Sequence, residues 1–497
     1  MEEIILDCYN NKKKILIFGD YDVDGYSSIY LLYDYLTKND INCDYYIPNR
    51  LLDGYGPNKT LLKKLISKKF YSLIIFVDCG TNSINEIDYL ESIGLKSIVI
   101  DHHQIYEQKK KINSVIINPL KNPFDKQNSI LCATTLVYLF INYLIKTLKL
   151  NKNIDLSKYL FFSAIATICD QMPLRGYNRT IVKDGLNNFD LSKFKKFSKL
   201  INIKHKLNSN DIGFYLGPIL NSASRLGHSN LPFSLLVEKR VSKINNISDK
   251  LIYLNNRRKK IQYNIFYLLN KNLKYSNTNI IFKYKENINE GLLGIIAANF
   301  VELYNKPCFV LTKSNNLIKC SARTIIGFNI GNILNEALNN KIIIKGGGHS
   351  MAGGCVLEYK KLNEFKKFLN HSYKKKFKNL INIKYFVSEQ NFNSLKVFSR
   401  EEIKILEPFG NDNTNPFFLI RKCKIIKYKI IQNSHIQLII KNNLNKSCMS
   451  LAFNVVGTNL GDILMNYKKE IDLIVQVNNK IVNKNSDFNL IIKDAIA

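Results

Sequence analysis

The chain has 497 residues, too many for one compact core, so two to four domains are expected. Its hydrophobic fraction of 46% is that of an ordinary folded protein, and no segment approaches the roughly 18 apolar residues of a membrane-spanning helix. Lys and Arg outnumber Asp and Glu by 72 to 40, and the net charge of +32 favours polyanionic partners such as nucleic acid.

The N-terminus and the cysteines indicate the compartment. The first residues, MEEIILDCYN, are acidic where a secretory signal would be basic. The ten cysteines are scattered from Cys8 to Cys448 without a CxxC pair, which is typical of reduced thiols. We therefore expect a cytoplasmic protein. The positive charge has a second explanation, because the chain is also rich in Asn, Ile and Tyr and a biased genome could have replaced Arg by Lys throughout.

The first 195 residues alternate short apolar runs with helical patterns, which is typical of an α/β domain with a parallel sheet. Strands are predicted at 14–20, 72–78 and 96–101, where nearly continuous Val, Ile, Leu and Phe indicate burial on both faces. Helices are predicted at about 27–38, 57–68, 130–149 and 157–170.

The remaining chain divides into three parts. Residues 196–275 form a helical connector that includes a long helix, 247–274, with a basic exposed face. Residues 276–378 form a second α/β domain with strands at 278–284, 307–313 and 317–323 and a Gly-rich loop at 345–354. Residues 379–497 alternate β-type runs with Asn-rich turns, which predicts a small β barrel.

Acidic residues and a pair of histidines fall where predicted elements end. Because the carboxyl ends of neighbouring parallel strands meet at one edge of a sheet, we expect these side chains to lie close together. They are Asp20, Asp22 and Asp24 after the first strand, Asp78 after the second, Asp101, His102 and His103 after the third, and Asp170 after the helix. Such a cluster would repel itself unless cations held it, and its oxygen and imidazole donors suit two Mn²⁺ or Mg²⁺ ions.

Each residue also has a simpler interpretation when it is taken alone. An Asp after a strand is often only the N-cap of the next helix. The DxDG in GDYDVDG could belong to a calcium loop, although the continuation of an EF-hand is missing. Adjacent histidines could be incidental surface residues. The metal site is favoured because all these features coincide at element ends.

Four motifs occur in an order that resembles the DHH phosphoesterases. They are GDYDVDG (19–25), VDCG (77–80), DHH (101–103) and ATICDQMPLRGYNR (166–179), and the segment IPNRLLDGYG (47–56) resembles the RecJ branch of that superfamily. The resemblance implies that Asp22 and Asp24 each hold one metal and that Asp78 bridges both. It assigns His102 and Asp170 to complete the set, and Asp20 and His103 to support the metals or contact the scissile phosphate. Phe18 departs from the pattern where some relatives have a histidine.

The later motifs resemble the substrate-binding parts of the same branch. The resemblance implies that residues of IPNR, GPILNSASRLG (217–227), CSAR (320–323) and GGGHSMAGG (346–354) bind the nucleic-acid backbone, namely Arg50, Arg225, Ser321, Arg323 and His349. Ile219 and Asn289 depart from the family pattern. The segment EPFGNDNTNPFF (407–418) resembles the one that introduces a C-terminal OB-fold, a fold that binds single strands.

The resemblance implies a metal-dependent exonuclease that degrades single-stranded DNA from the 5′ end to mononucleotides in repair and recombination. A monomer is expected, with a helicase or a single-strand-binding protein as candidate partners. Two alternatives stay open at this point. One is a small-substrate phosphoesterase, which would cleave dinucleotides as fast as long strands. The other is a non-catalytic single-strand-binding protein, which would be expected to lack the metal ligands.

Overall fold

The computed structural model describes most of the chain. The described residues are 2–105, 112–121, 130–150, 154–190, 194–201, 206–271, 278–314, 316–376, 385–398, 405–442, 444–466, 469–478 and 489–496. Four names are used below for parts of this range: the first lobe (2–201), the connector (206–271), the second lobe (278–376) and the barrel (385–496). None of the helices in these ranges combines the length and apolar character needed to cross a membrane.

The first lobe is a five-stranded parallel sheet with helices on both faces. Its strands are β1 Ile15–Phe18, β2 Cys43–Tyr46, β3 Leu73–Val77, β4 Lys96–Ile100 and β5 Val115–Ile117. Its helices are α1 Glu2–Asn10, α2 Val23–Lys38, α3 Lys59–Ile66, α4 Ile84–Ser92, α5 Ala133–Leu148, α6 Leu156–Cys169 and α7 Gly176–Asn187. The strand order is β2-β1-β3-β4-β5, so β1, β3 and β4 are neighbours and all run in one direction. The predicted parallel α/β fold is confirmed.

The two outer strands, β2 and β5, were not predicted from the sequence. Both are only half-buried, and β2 has the sequence CDYY, with a charged residue inside it. The predicted central strands are buried along nearly their whole length, which is why their apolar runs are continuous. An edge strand lacks that signature.

In its described part the connector contains helices, joined by short turns, and no strand. Its elements are α8 Ser209–Asp211, a π-helical turn Ile212–Leu216, α9 Gly217–Arg225, α10 Leu231–Val237 and α11 Val241–Asn270. The predicted long helix corresponds to α11, which begins six residues earlier than expected and has 30 residues. Its first half packs on α9 and α10 of the connector, and its last turns pack against the second lobe.

The second lobe contains a mixed five-stranded sheet and three helices. Its elements are β6 Ile281–Tyr284, α12 Leu293–Tyr304, β7 Cys308–Ser314, β8 Leu317–Arg323, α13 Ile330–Asn339, β9 Lys345–Gly348, β10 Ala352–Glu358 and α14 Leu362–Lys376. The prediction of a Gly-rich loop at 345–354 is wrong. The glycines lie in β9 and β10, an antiparallel hairpin in which Gly353 pairs with Gly348 and Ala322, so ladder pairing occupies backbone groups that an open loop would offer to phosphate.

The barrel is closed by five strands. Its elements are β11 Ser388–Glu389, α15 Phe392–Phe398, β12 Phe418–Ile431, β13 His435–Lys441, β14 Ser447–Ala452, α16 Asn459–Asn466, β15 Ile471–Asn478 and β16 Asn489–Ile496. The long strand β12 pairs with β13 through its second half and with β15 through its first half, which joins the two ends of the sheet. The predicted small β barrel is confirmed, whereas the domain boundaries at 195, 275 and 378 stay predictions.

Helices α6 and α7 approach closely at Gly185, and this contact supports the end of α6. A Cβ at Gly185 would lie 2.6 Å from the Cβ of Ala164 and 2.8 Å from the carbonyl oxygen of Leu160. We expect Gly185→Ala to lower the free energy of unfolding by about 1–3 kcal/mol through overpacking, although Ala favours a helix. The readout is the midpoint of thermal unfolding.

The matched control is Gly213→Ala in the π-helical turn. A Cβ there would meet its nearest neighbour, the Cγ2 of Ile168, at 3.6 Å, which is an ordinary contact. We expect this substitution to leave the midpoint nearly unchanged. Equal midpoints for both variants would contradict the close-packing argument.

Candidate functional site

The acidic cluster begins at the turn between β1 and α2. Asp22 is the N-cap of α2, and its Oδ1 accepts hydrogen bonds from the backbone N–H groups of Asp24 (3.0 Å) and Gly25 (3.1 Å). The simpler N-cap interpretation is therefore correct for Asp22, but it leaves Oδ2 outside these two bonds. A Cβ at Gly25 would lie 2.5 Å from the carbonyl carbon of Asp20, so this tight turn requires glycine.

Asp24 lies in the first turn of α2, and its side chain is held by helix α5. Its carboxylate accepts hydrogen bonds from the backbone N–H groups of Ala133 (2.8 Å) and Thr134 (2.7 Å) in the first turn of α5. The helix N-terminus stabilises a negative charge there. These two bonds hold the carboxylate of Asp24 in place at the edge of the sheet.

The neighbouring strands supply the other predicted residues. Asp78 follows β3 in the left-handed region (φ 58°), a conformation that Asp tolerates better than most residues. His102 follows β4, and its Nε2 lies 3.3 Å from Asp78, 3.5 Å from Asp170 and 3.7 Å from Asp24. The structure therefore brings together ends of β1, β3, β4 and α6, as the sequence predicted.

The ligand atoms fall into three compact groups. In each group one carboxylate oxygen or imidazole nitrogen per residue lies within 4.8 Å of the others, and the groups are Asp20/Asp22/Asp78, Asp78/His102/His103 and Asp24/His102/Asp170. Asp78 belongs to two of them, which places its carboxylate between the others. Asp20 is buried, and its Oδ1 has no hydrogen-bond partner among the described residues. A buried carboxylate oxygen in this state costs free energy unless a cation meets it.

Burial and mutual repulsion control the protonation of the cluster. Burial first, and neighbouring carboxylates second, raise the pKa values of Asp20, Asp22, Asp78 and Asp170. For His102, burial and the charge of His103 lower the pKa to about 4, which leaves the neutral imidazole that ligates metals. The donor set of oxygens and neutral nitrogen fits Mn²⁺ or Mg²⁺.

His103 is held in a different state by Asp101. Its Nδ1 lies 2.7 Å from Asp101 Oδ1, an oxygen that also accepts the backbone N–H of His102 at 2.8 Å. Burial opposes the charged imidazole, but the hydrogen bond and charge of Asp101 prevail and raise the pKa of His103 to about 9. The hydroxyl of Tyr55, from the IPNRLLDGYG segment, lies 3.1 Å from the same nitrogen. His103 thus presents a positive charge beside the acidic cluster.

Basic residues from three parts of the chain meet next to this cluster. The guanidinium of Arg50 lies 4.8 Å from the ring centroid of Tyr21, between Asp20 and Asp22 in sequence. Arg225 donates to the carbonyl of Gly291 at 3.0 Å, which joins the connector to the second lobe. Burial, followed by the charges of Arg50, Arg323 and Arg258, lowers the pKa of Arg225 to about 9. Like charges held so close favour an anionic ligand.

The second lobe brings its predicted residues to the same cleft. The ring of His349, at the turn of the β9–β10 hairpin, lies 6.0 Å from the ring of His103. Ser321 and Arg323 are on β8, and both side chains approach Gly294 at the start of α12, where an added Cβ would lie 3.1 Å from each. The twelve candidate residues therefore lie where the two lobes and the connector meet.

Arg258 was missed by the sequence analysis. The basic residues of its helix were expected on an exposed face, but Arg258 is only 9% exposed, and its two terminal nitrogens donate to Asn255 and Gln262. Its Nε has no partner among the described residues. The available signal was the polar series Asn255, Arg258, Gln262, which recurs at one-turn intervals along α11.

Comparisons with known proteins agree with this arrangement. Residues 14–167 match the model of the DHH family, N-terminal domain, residues 277–375 match the DHHA1 domain, and residues 388–494 match the RecJ OB domain. The single-stranded-DNA-specific exonuclease RecJ of Bacillus subtilis is 27% identical over 479 residues, which are 92% of this chain and 58% of that protein. The protein of the same name from Haemophilus influenzae is 25% identical, over 91% of this chain and 83% of its own length.

A solved structure shows the same fold. The crystal structure of RecJ in complex with Mn²⁺ from Thermus thermophilus aligns with a TM-score of 0.83 at 20% identity, covering 100% of this chain and 71% of that chain. The overlap extends from the first lobe through the barrel. The chain spans less than two thirds of the length of the Bacillus relative.

The raised pKa of Asp78 gives a stability prediction. A carboxyl group with a raised folded-state pKa destabilises the folded state as pH rises above the unfolded value near 4. We expect Asp78→Asn, which keeps the shape and tolerates the left-handed backbone, to raise the stability of the metal-free protein at pH 7 by about 1 kcal/mol or more. The readout is thermal unfolding in EDTA.

Asp101→Asn is the control of opposite sign. Burial alone would raise the pKa of Asp101, but the hydrogen bond and charge of His103 prevail and lower it, so its ionised form stabilises the fold. We expect this variant to unfold at a lower temperature than the wild type at pH 7. Destabilisation by both substitutions would contradict the repulsion argument for Asp78.

Proposed function

The chain belongs to the RecJ branch of the DHH phosphoesterases, and on that premise we propose that it is a metal-dependent exonuclease acting on single-stranded DNA. It hydrolyses phosphodiester bonds from the 5′ end and releases mononucleotides, in DNA repair and recombination. One observation carries the proposal: five carboxylates, joined into one cluster through Asp78 and His102, lie beside a cluster of arginines, and the charge of Arg50 acts on both clusters.

We assign the cluster to two Mn²⁺ or Mg²⁺ ions. Asp22 and Asp24 would each hold one ion, Asp78 would contact both, and His102 and Asp170 would complete the set, with Asp20 beside Asp22. When bound, such a pair of ions supplies an activated water and stabilises the leaving oxygen. The RecJ of Thermus thermophilus has been solved in complex with Mn²⁺ and with Mg²⁺, which supports this choice of metals.

The chain's own residues would position the nucleic acid. Arg50, Arg225 and Arg323 offer forked donors to successive phosphates, and Ser321 adds a hydroxyl. His103, charged and held by Asp101, and His349 would contact the scissile phosphate from opposite lobes. This arrangement suits a backbone threaded between the lobes, and the barrel would bind the strand further along.

The remaining expectations stay predictions. They are a monomeric state, a cytoplasmic location, and a helicase or single-strand-binding protein as partner. The intact acidic cluster argues against a non-catalytic binding protein. The barrel and the arginine cluster favour a polymeric substrate over a small one.

Digestion of end-blocked DNA tests the proposal directly. With Mn²⁺ present, we expect single strands blocked at the 3′ end to be degraded and strands blocked at the 5′ end to resist, because degradation would start at the 5′ end. Product mass spectrometry should show mononucleotides. Equal rates on dinucleotides and long strands, or hydrolysis that survives Asp78→Ala, would contradict the proposal.

The buried Arg258 gives a second test. Since its Nε is unpartnered among the described residues and its charge adds to the cluster around Arg225, we expect Arg258→Ala to weaken binding of single-stranded DNA about ten-fold, as measured by fluorescence anisotropy in EDTA. The exposed neighbour Arg257 serves as control, and Arg257→Ala should change the affinity about two-fold or less. Equal losses for both variants would indicate a nonspecific effect of charge.

A further inference from the structure

Among the proposed metal ligands, Asp170 is the one that the parallel sheet does not fix. Asp24 and Asp78 have side chains that are 1% and 4% exposed, whereas that of Asp170 is 31% exposed. Asp170 is the C-cap residue of α6, and the chain turns immediately afterwards through Gln171 in the left-handed region (φ 55°). The bonds of α6 itself reach as far as the N–H of Met172, which donates to the carbonyl of Thr167 at 3.0 Å, and contacts from outside the helix hold the rest of the turn.

A loop that leads into the barrel holds it. Residues 405–413, called here the docking loop, lie against the segment from Gln171 to Arg179. Asn411 makes two hydrogen bonds to this segment: its Nδ2 donates to the carbonyl of Gln171 at 2.7 Å, and its own carbonyl accepts the N–H of Leu174 at 2.8 Å. These two bonds fix both ends of the turn that follows Asp170.

Further contacts lock the docking loop in place. An added Cβ at Gly410 would lie 2.6 Å from the Cδ1 of Leu174, so the loop backbone packs directly on that side chain. Ser209 of the connector donates to the carbonyl of Phe409 at 2.6 Å, and Arg179 donates to the carbonyl of Ile405 at 2.8 Å. Three parts of the chain thus converge on a loop more than 230 residues beyond Asp170.

We propose that the docking loop positions Asp170 for metal binding, with Asn411 as the positioning residue. This inference rests on the proposed function, because it takes Asp170 as a ligand. The physical reason is that a carboxylate at a helix end binds an ion well only if the backbone carrying it is already in place. The first lobe then presents a complete metal site only when the segment leading to the barrel is docked.

The test measures Mn²⁺ binding to the full chain, by electron paramagnetic resonance of free Mn²⁺, in wild type, Asn411→Ala, Gly410→Val and the control Thr414→Ala. Thr414 is exposed in the same part of the chain, and its side chain makes no hydrogen bond with any described residue. We expect about ten-fold weaker binding of one of the two ions in Asn411→Ala and Gly410→Val, and wild-type binding in Thr414→Ala. Excess Mn²⁺ should restore hydrolysis in both.

The affinity for single-stranded DNA in EDTA gives the second readout, and it should stay within two-fold of wild type, because Asn411 is outside the arginine cluster. Unchanged binding of both ions in Asn411→Ala would overturn the positioning role, even if Gly410→Val failed to fold. A different result would refute the metal assignment itself: no Mn²⁺ binding by the wild type, or two tightly bound ions in Asp170→Ala. The two failures are therefore distinguishable.

Discussion

Repulsion among buried carboxylates is the constraint on which the rest of this structure depends. The fold buries Asp20 and Asp78, partly covers Asp22 and Asp170, and places all four side by side, which raises their pKa values. This repulsion lowers the stability of the metal-free protein. Backbone N–H groups hold two of the carboxylates in place: the first turn of α2 holds Asp22, and the first turn of α5 holds Asp24.

The arginines beside the acidic cluster also repel one another, because several positive charges lie close together. Arg225 and Arg323 are half-buried, and burial, followed by the charge of Arg50, lowers the pKa of each. An anion lying between the two clusters would relieve both, since it would neutralise the arginines while its reacting phosphate met the metals. The carboxylates come from the first lobe, and the arginines come from the first lobe, the connector and the second lobe. The site is therefore assembled from all three parts of the chain.

His102 and His103 show how one dipeptide supplies two different groups. Both follow β4, but burial and its charged neighbour keep His102 neutral, while Asp101 keeps His103 charged. The sequence identified both histidines as site residues. It did not show that Asp101 accepts hydrogen bonds from His103 and from the backbone N–H groups of residues 81 and 102 instead of joining the acidic cluster. The folded backbone decides which groups the two oxygens of Asp101 face.

The sequence alone determined the elements with a strong local signal. Apolar runs located β1, β3 and β4, β-type runs located β12, β13 and β15 of the barrel, and acidic residues at element ends located the cluster. Burial and charge patterns are properties of short segments. The edge strands β2 and β5, the hairpin formed by the Gly-rich segment, and the burial of Arg258 were decided by tertiary contacts. So was the docking of residues 405–413 beside Asp170. Such features depend on which distant segment covers a backbone or a side chain, and the covering partner leaves no pattern in the local sequence.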